Sequence, residues 1–244
     1  MVLDLLAQLP QPDFDRPTLD WHALAPEITL LSFGALITLL DIWLLDRAKA
    51  LTSALTGIAL LATMVPILTL ALHDDSSREM FGGAYVVDEF SLIMKALFLG
   101  AGYVVVLLST NYVAEGDYWE SEYYGLLLSS ILGMIMMASS RDLISIFVAL
   151  ELLSIPAYLL AAWRKRDVKS NEAGLKYYLM GVFASAILLY GMSLLYGSTG
   201  STILADIAQA ADLGAADSPA YITLGIVFVV AGFAFKVSAV PFHN

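Results

Sequence analysis

The stretch DLISIFVALELLSIPAYLLAAWRKR, residues 142–166, decides the fold of this chain. It is apolar over a length that can cross a bilayer, because a membrane-spanning helix needs about 20 mostly apolar residues. Glu151 lies near its middle, where an ionised side chain costs about 2.5–3.5 kcal/mol on insertion scales. Pro156 has no N–H and crowds the carbonyl of residue 152, which predicts a kink and a free acceptor beside the acid. A carboxylate that is costly to insert into the bilayer, next to a helix distortion, indicates a site that binds or transfers an ion.

The composition places the whole chain in a membrane. Hydrophobic residues make up 59% of it, charged residues only 14%, and the mean hydropathy is +0.77, whereas soluble domains carry about 25% charged residues. Several long apolar runs therefore predict an all-α, polytopic helical membrane protein. The net charge of −11 comes mostly from loops, and there is no basic patch that would bind nucleic acid. The lack of cysteine excludes thiolate-ligated iron–sulfur clusters, thiol catalysis and disulfides within this sequence.

The apolar runs predict seven spans after an N-terminal segment at 1–26. The spans lie at 27–45, 51–72, 89–112, 123–139, 142–166, 172–196 and 220–240. The first three form a unit at 27–112, and the last four form a second unit at 123–244. Residues 73–83 are expected to be a polar loop. The connection 197–218 has no Lys or Arg, and its apolar spacing predicts a short amphipathic helix at the surface.

The basic residues predict the orientation, because short loops that carry Lys and Arg stay on the cytoplasmic side. The loops after spans one and five hold six of them, and the opposite side holds three. The N-terminal segment is therefore expected on the non-cytoplasmic side. The two sets are Arg47, Lys49, Arg164, Lys165, Arg166 and Lys169 against Arg16, Arg78 and Arg141.

Five ionisable residues stand inside the apolar runs: Asp41, Lys95, Glu151, Lys176 and Lys236. Lys95 is interpreted as a lysine that snorkels to the interface, and Asp41 as an interface residue near the end of its span. Lys176 and Lys236 lie near span ends, where snorkelling and a functional role both remain open. Glu151 is too short and too deep to reach water. That leaves either a hydrogen bond that only joins helices or a functional site.

The functional interpretation pairs Glu151 with one of the lysines. Burial disfavours both the carboxylate and the ammonium, but each charge stabilises the other when the two groups lie close together. Such a pair therefore titrates as a unit. A change in their separation then releases or takes up a proton, which makes the pair a proton relay. The sequence leaves open which lysine approaches the acid. No spacing of His and Cys typical of a metal site occurs, and no nucleotide-binding motif occurs.

Five motifs stand in order along these spans. They are DEFSL at 88–92, GMIMMAS at 133–139 with RDL at 141–143, LELLSIPAY at 150–158, EAGLKYYL at 172–179 and GFAFKVSAVPFH at 232–243. Together they resemble the antiporter-like membrane subunits of respiratory NADH:quinone oxidoreductase (complex I). The resemblance covers nearly the whole sequence after residue 25.

The resemblance implies roles for three residues. Glu151 matches the fifth-span glutamate of the family's proton channel, Lys236 matches the seventh-span lysine that pairs with it, and Lys176 matches a further lysine on span six. It also implies a multi-pass protein of the cell (inner) membrane that binds no redox cofactor itself. Flavin, iron–sulfur clusters and quinone would belong to partner subunits. The partners would be the lipid bilayer and the other membrane and peripheral subunits of the complex.

Members of the family continue after the Pro-Phe-His motif with further spans that complete an inverted repeat. We therefore expect this sequence to be part of a longer or split protein, with the first half-channel incomplete. Two alternatives remain open. The chain could be a subunit of a multisubunit (Mrp-type) cation/proton antiporter, which shares the Glu and Lys motifs, or a fragment that serves only packing or assembly.

Overall fold

Eight α-helices account for most of the residues that the computed structural model describes, which are 19–43, 49–73, 77–114, 120–212 and 219–240. The helices are α1 Ala25–Trp43, α2 Lys49–His73, α3 Glu89–Ala114, α4 Glu120–Ser139, α5 Leu143–Ala161, α6 Val168–Thr199, α7 Leu204–Asp212 and α8 Pro219–Lys236. Two short strands, β1 Arg78–Met80 and β2 Tyr85–Val87, lie between α2 and α3.

The predicted polytopic helical fold is confirmed. Within the described ranges, six helices are long and apolar enough to cross a membrane, namely α2 to α6 and α8, and α1 is apolar over the shorter run Ala25–Leu40. These seven helices correspond to the seven predicted spans. The short helix α7 falls inside the connection where an amphipathic helix was expected, and it buries Ile207 in the protein core.

The ends of the helices are set by capping groups that hydropathy does not detect. Asp142 accepts hydrogen bonds from the backbone N–H of Ile144 at 2.9 Å and of Ser145 at 3.0 Å, which fixes the start of α5. Asp167 likewise accepts from the Lys169 N–H at 2.9 Å and starts α6 earlier than residue 172. α5 ends at Ala161 rather than 166, and it continues through Pro156 without interruption.

In the described residues, two hydrophobic cores lie between the helices, and a smaller third one lies against the hairpin. α1, α2, α3 and α4 enclose the first, whose buried residues include Leu30, Leu60, Leu99 and Ile131. α5, α6 and α8 enclose the second, and α7 contributes to it; Leu150 and Leu188 lie at its centre. The first core therefore joins α4 to the three preceding helices.

Close contacts at glycines hold the helices of the second core to their neighbours. A Cβ added to Gly133 of α4 would lie 2.5 Å from the backbone nitrogen of Leu153 in α5. At the α6–α8 contact, a Cβ on Gly191 would lie 2.8 Å from the Gly225 carbonyl oxygen, and one on Gly232 would lie 2.6 Å from the Leu188 Cβ. Small residues let helix backbones approach closely where no hydrophobic effect drives association. This packing carries the end of α8 to the face of α5.

The region after α2 is a β-hairpin and not only the polar loop that the sequence predicted. β1 and β2 pair antiparallel with Met80 opposite Tyr85, and a turn at Phe81–Gly83 joins them, with φ of +66° and +87° at Gly82 and Gly83. Arg141 N–H donates to the Ala84 carbonyl at 2.8 Å, which ties the hairpin to the α4–α5 turn. Strands of three residues are too short to show the alternation that predicts a strand. We call this end of the bundle the hairpin end.

Candidate proton site

Glu151 lies inside the bundle on α5, about 12 Å along the helix axis from its first residue. Its side chain is 21% exposed in the isolated chain. The Ser185 hydroxyl of α6 donates a hydrogen bond of 2.5 Å to Glu151 Oε1. A charged-acceptor hydrogen bond of this kind stabilises the carboxylate away from water.

Lys236 is the last residue of α8, and its side chain is 10% exposed. Its Nζ lies 3.8 Å from Glu151 Oε1. The chain reverses directly after it: Ser238 has a positive φ of 52°, and the Ala239 N–H donates to the Ala234 carbonyl at 2.8 Å. The ammonium therefore stands at a helix C-terminus, where the helix dipole favours a positive charge.

Two hydroxyl groups of α5 hold the Lys236 ammonium. Nζ donates to Ser154 Oγ at 2.8 Å and to the Tyr158 hydroxyl at 2.9 Å, and it lies 5.4 Å from the centre of the Tyr158 ring. Ser154 in turn donates to the Leu150 carbonyl at 2.6 Å. At 3.8 Å the acid and the base are in Coulombic contact but too far apart for a direct hydrogen bond.

Helical spacing explains why α5 supplies three members of this site. Residues 151, 154 and 158 are three and four positions apart, so they share one face of the helix. Gly181 of α6 makes room for the Tyr158 hydroxyl, because a Cβ at 181 would lie 2.1 Å from that oxygen. Ser154, Tyr158 and Ser185 were not among the residues predicted from the sequence. The spacing around Glu151 was the signal that could have identified the first two.

The structure separates Lys176 from this pair. Lys176 lies on α6, about 13 Å along the helix from Ser185. Its Nζ is 2.5 Å from Glu172 Oε1, and both side chains are exposed in the isolated chain. Of the lysines considered for pairing with Glu151, Lys236 is the one in contact with it.

The interpretation of Lys95 as a snorkelling lysine is wrong. Its side chain is 0% exposed, and its Nζ lies 2.7 Å from Glu27 Oε1 of α1. Depth along a span does not show which way a side chain faces, and here α1 and the hairpin enclose the lysine. Asp41 belongs to α1, but its side chain lies outside the described residues.

The arrangement can exchange a proton between two groups. A carboxylate and an ammonium lie together inside the bundle, and hydroxyl groups contact each of them. Hydroxyl groups both donate and accept hydrogen bonds, so they can pass a proton on. No cluster of three or more His, Asp or Glu side chains able to hold a metal ion occurs in the described ranges.

Comparison with known proteins identifies a family that the residues around this site match. Residues 140–244, which contain Glu151 and Lys236, match the family described as "NADH:quinone oxidoreductase/Mrp antiporter, TM". NADH-quinone oxidoreductase subunit N of Alkalilimnicola ehrlichii is 36% identical over 234 residues, which is 96% of this chain and 47% of that protein. The chain thus spans about half the length of the curated relatives it matches.

Two solved structures share the fold. A chain of respiratory complex I from Thermus thermophilus with bound aureothin superposes with a TM-score of 0.70 at 32% identity, covering 89% of this chain and 45% of that one. A chain of the Mrp complex from Dietzia sp. has a TM-score of 0.69 at 22% identity, covering 91% of this chain and 24% of that one. At that identity the second likeness shows the fold alone.

The bundle, the acid–lysine pair and the matched family define an antiporter-like membrane subunit. Relatives that are 34–46% identical to the chain narrow this class, because each of them is named NADH-quinone oxidoreductase subunit N. The chain belongs to the NADH-quinone oxidoreductase subunit N family, as the motifs in its sequence had indicated.

Proposed function

We propose that this chain forms part of a membrane subunit of a proton-translocating NADH:quinone oxidoreductase, and that Glu151 and Lys236 carry a proton relay in it. The observation that carries the relay is the 3.8 Å separation of the two groups, with separate hydroxyl partners for each. The subunit sits in the cell membrane with residues 1–26 on the non-cytoplasmic side. The relay belongs to the part of the chain that begins at residue 123.

The relay step is a proton transfer between the two groups. While the Lys236 ammonium lies close to Glu151, each charge stabilises the other. When the groups move apart, an isolated buried charge becomes costly, so one proton passes from Nζ to the carboxylate and leaves a neutral amine and a neutral acid. Ser154 and Tyr158 offer the amine a route for that proton. Lys176, which lies beside Glu172 on α6, would be a further group that binds and releases protons, at one end of the route that passes through Glu151 and Lys236.

Redox chemistry in this proposal belongs to other subunits, which hold flavin, iron–sulfur clusters and quinone. Native mass spectrometry of the assembly, extracted through a tag on this chain, tests the placement. Co-purification of flavin and iron–sulfur subunits supports the oxidoreductase. A particle made only of membrane subunits would assign the chain to an Mrp-type antiporter, the second candidate, which the description of the matched family also names.

The Glu151→Gln variant in the full assembly tests the relay itself. We expect the number of protons pumped per electron and the quinone reductase turnover to fall, because glutamine cannot bind the proton. Glu122→Gln is the matched control, since Glu122 is exposed and pairs with Lys165 at 3.1 Å. A normal number of protons pumped per electron and normal turnover in the assembled Glu151→Gln variant would rule out the proposed relay.

A further inference from the structure

A second acid–lysine pair lies inside the bundle at the hairpin end. Lys95 Nζ of α3 and Glu27 Oε1 of α1 are 2.7 Å apart, with the lysine side chain 0% exposed and the glutamate side chain 10% exposed. Both carboxylate oxygens of Glu27 are shielded from solvent. Lys95 also donates to the Tyr85 hydroxyl at 3.2 Å and lies 5.3 Å from the centre of that ring. The pair and the tyrosine belong to three different elements.

Each element packed against this pair contributes a distinct group. β2 supplies Tyr85, and Ser139 at the end of α4 faces the Tyr85 hydroxyl. Asp88, which precedes α3, acts on Lys95 by its charge but is itself paired with Arg141 at 3.0 Å. α2 packs Leu70 against the hairpin. Lys95 therefore relies on the Glu27 carboxylate for its closest neutralising charge.

The Tyr85 hydroxyl stays protonated beside the pair. Burial raises the pKa of Tyr85, and the Glu27 charge raises it further. A protonated phenol both donates and accepts hydrogen bonds, so it can contact the lysine as an amine or as an ammonium. Tyr85 thus remains a fixed hydrogen-bond partner for either state of the pair.

Stability alone is a weak reason to keep such a pair. Well-packed hydrophobic residues in place of a buried ion pair are often equally stable or more stable. Ionisable residues that face the interior of a membrane bundle instead mark ion or proton pathways. The hairpin lies directly over the pair, with Met80, Tyr85 and Val87 buried against Ala23 and Leu70. Within the part of the chain that the structure describes, the hairpin forms part of the cover over the pair, and Tyr85 is its point of contact.

We infer a second proton-exchange site, formed by Glu27, Lys95 and Tyr85. This site exchanges protons with water at the hairpin end of the bundle. One proton leaves Lys95 Nζ for the Glu27 carboxylate and then passes to a water molecule admitted beneath the hairpin. The lysine is left as a neutral amine and the glutamate as a carboxylate, and one proton returning by the same route restores the pair. This site uses other residues and other helices than Glu151 and Lys236.

Infrared difference spectroscopy on the purified complex tests this site without relying on pumping. The spectrum at alkaline pH is subtracted from the spectrum at acidic pH. The difference is expected to contain a carboxylic acid C=O band that is lost in Glu27→Gln. Tyr85→Phe is expected to shift that band, because it removes a neighbouring hydroxyl. The band is expected to persist in Glu122→Gln, the exposed control, and in Glu151→Gln. A failure of the Glu151–Lys236 relay therefore leaves this result standing.

A neutral double variant covers the case in which single variants fail to assemble. Glu27→Gln with Lys95→Met removes both charges and leaves neither one unpaired. We expect it to assemble and to lack the same infrared band. A spectrum identical to the wild type, in this double variant or in Glu27→Gln, would overturn the site and leave the pair as a tie between α1 and α3.

Discussion

Tyr158 reaches Lys236 only because residue 181 is a glycine. A Cβ at that position would lie 2.1 Å from the Tyr158 hydroxyl oxygen, so any larger residue must displace the phenol. The hydrogen bond of 2.9 Å from Lys236 to the Tyr158 hydroxyl would then be lost, although the variant keeps both residues in its sequence. The proposed relay thus depends on Gly181, although glycine has no side chain.

We expect Gly181→Ala to reduce proton pumping to the level of Tyr158→Phe, with a cost in stability of about 1–3 kcal/mol from overpacking. Gly197→Ala is the control in the same helix, because a Cβ there meets nothing within 4 Å. Proton stoichiometry and thermal unfolding of the assembled complex are the measurements. Equal pumping in the two alanine variants would show that the Tyr158 contact does not matter.

Lys236 and Glu151 also depend on one another. Removing one partner of a buried pair leaves an uncompensated charge and costs about 3–5 kcal/mol. Lys236→Ala should therefore destabilise the protein more than Lys176→Ala, because the Lys176 pair is exposed in the isolated chain. Unfolding temperatures of the two variants in the same detergent provide the comparison. Similar losses for both would indicate that the Glu151–Lys236 pair is weakly coupled.

At the scale of single elements, the contact between α4 and α5 rests on Gly133. A Cβ at 133 would lie 2.5 Å from the Leu153 nitrogen and 2.8 Å from the Ala149 carbonyl, both of them backbone atoms that cannot rotate away. We expect Gly133→Ala to lower stability by about 1–3 kcal/mol. Gly100→Ala on α3, where a Cβ meets nothing within 4 Å, should leave the unfolding temperature unchanged. An unchanged unfolding temperature in Gly133→Ala would mean that α4 and α5 can move apart with little loss of stability.

The hairpin is held to the bundle by an ion pair with a defined pH dependence. Burial of Asp88 opposes its ionisation, but the Ser91 N–H and the Arg141 guanidinium together lower its pKa below the ordinary value of 3.8. A carboxylate with a lowered pKa stabilises the fold above that ordinary value, and the stabilisation is lost as the pH falls through the folded pKa. The hairpin should therefore loosen only below about pH 4.

Hydrogen exchange of residues 77–88, corrected for intrinsic rates, measures this effect. Protection is expected to stay constant from neutral pH down to about pH 4 and to fall below it. Asp88→Asn should show the reduced protection already at neutral pH, since asparagine cannot pair with the Arg141 charge. Glu79→Gln on β1 is a control on the same hairpin. Unchanged protection in Asp88→Asn would assign the attachment to packing and to the ion pair between Arg78 of β1 and Asp20 instead.

Particular elements show what the sequence could and could not predict. The seven spans followed from apolar length, and Glu151 stood out because a short acid at mid-span has no route to water. Sequence did not reveal that Lys95 faces inward, because depth along a helix says nothing about rotation around its axis. It also missed Ser154, Tyr158 and Ser185, since hydroxyl residues are common in membrane helices and carry no charge. Their role depends on the contact of α5, α6 and α8, which involves residues far apart in the chain.

At the scale of the whole molecule, the relay pair is not fully enclosed by the described residues. Glu151 retains 21% and Lys236 retains 10% of their side-chain exposure, although both lie inside membrane-spanning segments. Contact of these groups with lipid would be costly. Tyr177 of α6 lies at the edge of this opening, with its ring 4.7 Å from the Tyr158 ring and 6.4 Å from the Phe235 ring. We expect further protein to cover the opening in the assembled complex.

A photo-crosslinking amino acid at position 177 tests this expectation. In the assembled complex it should form a covalent link to a polypeptide, either a further part of the same protein or a neighbouring subunit. The same group at Leu108 of α3, which is 75% exposed, should form adducts with lipid instead. The chain contains no cysteine, so a single cysteine at either position offers an independent labelling check. If position 177 captures only lipid, the opening faces the bilayer, and the relay pair must be kept from hydrocarbon by water or by a rearrangement of α8.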